Sequence, residues 1–173
     1  MSLFRAAVID TSALFSALVA QYDLFGGRSQ KRSVRPVASL KPPLNNELVR
    51  REYLELLGSI RTKFVTSHVV AELYGLRREL NLDEDGRVNF WRSSLRLLQT
   101  WNIEEAFVQL FELYDGTGLE DCIARLGPTD TSLVALAGRK GCPLITEDEE
   151  LTREAWRLGV ETHLVKNLFA EDK

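Results

Sequence analysis

Short apolar runs alternate with longer stretches of helical periodicity along this chain, and that alternation predicts strands followed by helices throughout. Residues 4–9, FRAAVI, form an apolar run that stops at Asp10. Thr11 and Ser12 then stand where they can cap a helix carrying Ala13, Leu14, Ala17 and Leu18. Residues 21–43 lose periodicity and accumulate Gly26, Gly27, Pro36, Pro42 and Pro43, which predicts a long loop or insertion. An amphipathic helix fits residues 44–60, with Leu48, Tyr53, Leu54, Leu56 and Leu57 facing the core.

Residues 63–66 read as a second strand, and Ser67 as the cap of a helix over 68–80 that turns Val69, Leu73 and Leu76 inward. Helices are expected over about 87–100 and 104–114, with Asn102 and Ile103 in a short strand between them. Gly127, Pro128 and Thr129 introduce a helix ending at Gly141, CPLIT is a strand, EDEELTREAWRLG is a helix closed by Gly159, and residues 160–165 make the last strand. The fold class is therefore α/β, with a mainly parallel sheet flanked by helices. The 173 residues suffice for one domain, and residues 1–173 are read as one, with a basic loop or insertion at about 21–43.

Charge sharpens this picture. The net charge of −3 argues against a simple basic nucleic-acid binder. Yet the segment 24–46 holds Arg28, Lys31, Arg32, Arg35 and Lys41 and no acidic residue, so the positive charge is segregated. Arg28, Lys31, Arg32, Arg35 and Lys41 are candidates for neutralising RNA phosphates, the first four above all, and equally for a solvated loop. Cys122 and Cys142 lack metal-knuckle spacing and read as reduced, small buried side chains. With no secretory signal and no stretch of about 18 apolar residues, a cytoplasmic protein without a membrane segment is expected. The aromatics Phe90, Trp91, Trp101, Phe107, Phe111 and Trp156 fit helical core faces better than base-stacking platforms.

The candidate chemistry lies in four carboxylates. Asp10, Asp130 and Asp148 sit at strand-to-helix junctions or helix starts, and Glu72 lies within the helix after the second strand. A parallel α/β fold gathers such junctions at one edge of its sheet. Four acids brought together there repel one another unless a cation offsets their charge, and Mg²⁺ or Mn²⁺ takes hard oxygen ligands readily. Each acid also has a plainer reading. The three aspartates could cap helices, and Glu72 could pair with a cation, although Val69, Val70, Ala71 and Leu73 around it favour partial burial. His68 and His163 are the only histidines, no Ser–His–Asp set is evident, and there is no Walker-type glycine loop, no acid pair of a receiver domain and no haloacid-dehalogenase-type nucleophile loop.

Four strings, VIDTSAL, SHVVAELYGL, PTDTSLVALA and PLITEDEEL, together resemble the PIN-domain nucleases, the superfamily that includes VapC-type toxins, and they occur in that family's order along almost the whole chain. The resemblance implies a PIN-like fold and a site at Asp10, Glu72, Asp130 and Asp148, supported by Thr11, Ser12 and Thr146. It implies Mg²⁺ or Mn²⁺, endoribonuclease activity on RNA, and, for a toxin, an antitoxin protein and a homodimer as partners. A non-catalytic PIN-like binding module and a structure-specific DNA nuclease are the alternatives. The chain departs from the minimal toxin by its basic segment, and its TEDEE turn offers Glu147, Glu149 and Glu150 as competitors of Asp148, which keeps the Thr-x-Asp spacing.

Overall fold

The computed structural model describes residues 4–25, 39–76, 80, 82–109, 113 and 118–169. The sheet is built on β1 (Ala6–Ile9), β2 (Thr62–Thr66), β3 (Ile103–Ala106), β4 (Leu144–Thr146) and β5 (Thr162–Leu164), in the order β3-β2-β1-β4-β5. Every pairing is parallel. The chain travels from β1 out to β3 and then returns to place β4 on the other side of β1. The change of direction therefore falls between β1 and β4, the point at which open α/β sheets form ligand crevices.

The helices divide accordingly. After β1 come α1 (Thr11–Phe25) and α2 (Glu47–Ser59), and after β2 come α3 (Ser67–Leu76) and α4 (Glu84–Thr100). The helix α1 packs against α2, α3 and α4. After β3 come α5 (Leu119–Leu126) and α6 (Pro128–Lys140), and α7 (Glu149–Arg157) and α8 (Val165–Leu168) flank β5. The helix α6 packs on β1, β2 and β4 and against α5. Right-handed crossovers account for both groups: connections running toward β3 and those running toward β5 lie on opposite faces.

Burial explains the strands. Ala7, Val8, Ile9, Leu144 and Ile145 have no exposed surface, as central strands covered on both faces require. Lys63 is also buried, and its Nζ donates to the carbonyls of Ile60 (2.7 Å) and Trp101 (2.8 Å), fastening the start of β2 to the end of α4. Asn46 and Asp83 cap α2 and α4 by accepting the backbone N–H groups of Leu48 and Gly86.

Several boundaries differ from the periodicity reading. The helix α1 runs to Phe25, so residues 21–25 are helical and not part of the loop. Tyr22 explains the extension: it is buried, and its ring packs edge-on against Phe90 of α4. Arg28, Lys31, Arg32 and Arg35 lie outside the described residues, as does Phe111. The helix expected over 104–114 is contradicted at its start, where Glu104, Glu105 and Ala106 pair with Phe64, Val65 and Thr66 in β3. An edge strand with charged side chains tolerates that composition and discourages further pairing. Leu48 is exposed on α2, and Phe107 and Trp156 are 69% and 62% exposed, against the core assignment given to them. The short helices α5 and α8 were not anticipated, although Leu119, Cys122, Ile123 and Leu126 in α5 follow helical spacing. Cys122 and Cys142 are both free thiols. Among the described residues no helix is long and apolar enough to cross a membrane.

Candidate active site

All four predicted acids line one cleft of about 270 Å³ at the C-terminal edge of the sheet, together with Thr11, Ser12 and Glu147. Asp10 follows β1, Asp148 follows β4, Glu72 projects from α3 and Asp130 from the first turn of α6. The topology thus brings together residues more than a hundred positions apart in the chain.

Asp10 is the most firmly held. It is 4% exposed. Its Oδ2 accepts the hydroxyl protons of Ser12 at 2.5 Å and Thr146 at 2.7 Å. Burial pushes its carboxyl above the ordinary aspartate range, the bonds from Ser12, Thr146 and the Thr11 backbone pull it down, and the Asp148 charge pushes it up again. Thr146, fully buried, also accepts the backbone N–H of Asp148 at 2.9 Å. One hydroxyl therefore ties the ends of β1 and β4 together. The Ser12 hydroxyl extends the tie by accepting the Glu147 backbone N–H at 3.3 Å.

Asp148 caps α7: its Oδ1 accepts the N–H groups of Glu150 and Leu151 at 2.6 and 3.0 Å. The plain capping role is real there, and it occupies a single oxygen. Asp130 is not a cap, because Gly127 holds that place in α6 with no side-chain bond. Its carboxyl is pushed up to about 7, first by burial and then by the charges of Asp10, Glu72 and Asp148. The charges of the other three acids thus reach Asp130 within the cleft.

Glu72 is exposed rather than partly buried. The helix α3 buries Val69 and Leu73 and packs Leu76 against the core, and Glu72 stands about a quarter turn away from Leu73. Its Oε2 accepts the Thr11 hydroxyl at 2.8 Å, which links α3 to the start of α1.

Three more neighbours stand beside the four acids, of which Glu147 and Tyr53 carried no site role from sequence and Lys41 only one in RNA binding. Glu147, set aside in favour of Asp148, stands in the same cleft, and its Oε1 is buried with no hydrogen-bond partner. Burial raises its carboxyl, a bond from Ser16 and the charge of Lys41 lower it, and Asp10 raises it. Lys41 lines the rim. Tyr53, wholly buried, donates its hydroxyl to the Ala13 carbonyl at 2.9 Å, and burial with the charges of Glu147 and Asp10 raises its phenol well above the usual range. The crowded acids of TEDEE were the available signal for Glu147. Nothing in the pattern marked Tyr53 as a neighbour of the site.

The donor set is made of oxygens, the kind that Mg²⁺, Mn²⁺ and Ca²⁺ prefer. Among the described residues, no three His, Cys, Asp or Glu side chains are grouped closely enough to hold an ion as they stand. The chemistry of the donor set, oxygens alone, is nonetheless of the kind a hard divalent cation takes.

The family model of the PIN domain matches residues 44–156. No curated protein matches the chain. The matched span contains Glu72, Asp130 and Asp148 and begins after β1 and α1, so the geometry is what joins Asp10, Thr11 and Ser12 to the rest. The match covers more than half of the chain, and the protein belongs to the PIN-domain family, whose members are usually nucleases that use divalent metals.

Proposed function

We propose that this protein is a metal-dependent endoribonuclease that hydrolyses RNA phosphodiester bonds with Mg²⁺ or Mn²⁺ held by Asp10, Glu72, Asp130 and Asp148, and that it works in the cytoplasm as the toxin of a toxin–antitoxin module. An antitoxin protein, and a second copy of the chain, belong to the same reading as partners. The observation that supports the catalytic part is the convergence of the four carboxylates on one cleft, where burial and then the charges of the other three acids lift the Asp130 carboxyl to about 7. A bound divalent cation would offset those charges, activate water and stabilise charge on the phosphate oxygens.

The chain's own residues supply orientation. Ser12 and Thr146 aim their hydroxyl protons at one oxygen of Asp10 and fix the plane of its carboxylate at the cleft. Thr11 steers Glu72 toward the cleft. In the reaction a water oxygen bonds to phosphorus, the bond from phosphorus to the leaving ribose oxygen breaks, and a proton reaches that oxygen. No side chain forms a covalent intermediate, in keeping with the absence of a nucleophilic triad.

The test uses purified protein and a labelled single-stranded RNA. Cleavage should require Mg²⁺ or Mn²⁺, stop in EDTA, and fall to background in Asp10→Asn and Asp130→Asn proteins that melt as cooperatively as wild type. Equal cleavage by wild type and Asp10→Asn would refute the site. Binding of RNA with no cleavage in any metal would identify a non-catalytic module, and cleavage restricted to DNA a DNA nuclease.

A further inference from the structure

Beside the acidic cleft lies a second one, of about 350 Å³, that shares Lys41, Glu147 and Asp148 with it. The two form one groove running from the β1–β4 switch point toward β5. The second cleft is also lined by Val165 and Lys166, which open α8 directly after β5, and by Pro42 and Pro43. We infer that this second cleft is the subsite for the nucleotide flanking the scissile bond, with Lys41 and Lys166 gripping the RNA backbone on either side of it. The inference rests on the ribonuclease reading above and extends it to the path of the strand.

Three features carry it. The first is position: a strand whose phosphate lies among the acids must leave the cleft, and Lys41 stands in both clefts at the junction. The second is charge. Glu147, Asp148 and Glu149 line the second cleft too and would repel a polyanion. Lys41 acts on Glu147 by its charge, and Lys166 is bonded to Glu149. Both lysines are exposed, as is Glu149, and an exposed ion pair contributes little, so Lys166 can exchange its carboxylate for a phosphate at small cost. The third is shape and chemistry. A volume near 350 Å³ suits a ligand the size of one nucleotide. Pro42 and Pro43 offer an apolar surface to a ribose or base, while the two cations meet the phosphates.

The readout must not depend on cleavage. Binding of a twelve-nucleotide single-stranded RNA is measured against salt in the Asp10→Asn background, with Lys41→Ala and Lys166→Ala added singly and together. Each lost phosphate contact should flatten the dependence of log affinity on log salt by roughly 0.7, and the pair by about 1.4. Arg61→Ala, an exposed cation just before β2 at the opposite edge of the sheet, is the control and should leave the slope unchanged. In the cleaving protein the double variant should raise KM about tenfold and change kcat less than twofold, since a steering contact acts mainly on binding. Lys166→Arg should restore the slope. A slope that the double variant shares with its parent, or a loss reproduced by Arg61→Ala, overturns the subsite. Failure of the ribonuclease reading would show itself separately, as no cleavage by wild type in any divalent metal, and would leave the binding result to judge the cleft alone.

Discussion

The two walls of the acidic cleft are built to different standards. The β1–β4 wall carries Asp10 almost fully buried, with two side-chain hydroxyls on one oxygen, and joins it through Thr146 to the backbone of Asp148. The α3 wall presents Glu72 on an exposed helical face, held by the Thr11 hydroxyl. Its helix also exposes Val70 and Tyr74 at 46% and 60%. The difference teaches where precision is installed. A carboxylate locked by buried hydroxyls keeps its geometry whether or not a cation is bound, whereas one on an exposed helix can swing. The fixed wall would set where an ion sits, and the other would complete its coordination.

The largest effects should come from the fixed wall. Asp10→Asn should reduce RNA cleavage to background while the protein still folds, because the amide keeps the shape and loses the charge that a divalent cation requires. The same change in Mn²⁺ titrations followed by melting should abolish most of the metal-induced rise in Tm. A wild-type Tm indifferent to millimolar Mn²⁺ would remove the fixed wall from metal binding altogether.

Next comes Thr146→Val, which touches no ligand and tests the tie itself. It removes a donor from the Asp10 carboxylate and leaves the Asp148 N–H without its acceptor, a loss of about 1–3 kcal/mol for buried polar groups. For a chain of this size the Tm should fall by roughly 3–8 °C. Activity should fall about 10- to 100-fold, the range for residues that orient metal ligands. Thr146→Ser keeps the hydroxyl and should recover most of both. Activity within twofold of wild type in Thr146→Val would show that the tie serves folding alone.

Thr11→Val makes the matching change on the loose wall. Glu72 loses the hydroxyl that steers it but remains solvated, so stability should change by less than about 0.5 kcal/mol. Cleavage should drop only a few-fold and recover at higher metal concentration, as expected if the ion itself can draw Glu72 in. A loss as deep as that of Thr146→Val would erase the contrast between the walls.

The same contrast explains what could be read from sequence. Asp10, Asp130 and Asp148 were legible because strand ends and helix starts are marked locally, by an apolar run meeting Asp-Thr-Ser or by Thr-x-Asp, and a parallel sheet gathers such junctions of its own accord. The exposure of Glu72 was not, because its apolar neighbours Val70 and Tyr74 face outward and the pattern alone suggests a buried flank. Glu147 was ambiguous for a similar reason. Four acids in TEDEE look alike until the fold decides which are turned inward. The strand at Glu104, Glu105 and Ala106 was hidden because its residues favour helix, and only its pairing with β2 overrides that preference.

Last comes the metal-free stability set by Asp130, whose carboxyl is raised by its burial and by charges from both walls. Its carboxyl is raised from 3.8 to about 7 in the folded protein. Between those values the folded state binds more protons than the unfolded state, so stability falls as pH rises, and the whole cost is present above pH 7. Asp130→Asn should therefore leave the Tm of metal-free protein unchanged near pH 4 and raise it near pH 8. Solvent reaches part of this carboxyl and screens its neighbours, which reduces the gain to about 1 kcal/mol, or roughly 2–4 °C. Saturating Mn²⁺ should reverse the order at pH 8, because wild type then gains a ligand interaction that the amide lacks. Thermal melts of both proteins across this pH range, with and without metal, provide the check. A Tm difference that is the same at pH 4 and pH 8 would mean that neither burial nor the charges of Asp10, Glu72 and Asp148 raise the Asp130 carboxyl, and that the two walls exert no common field on it.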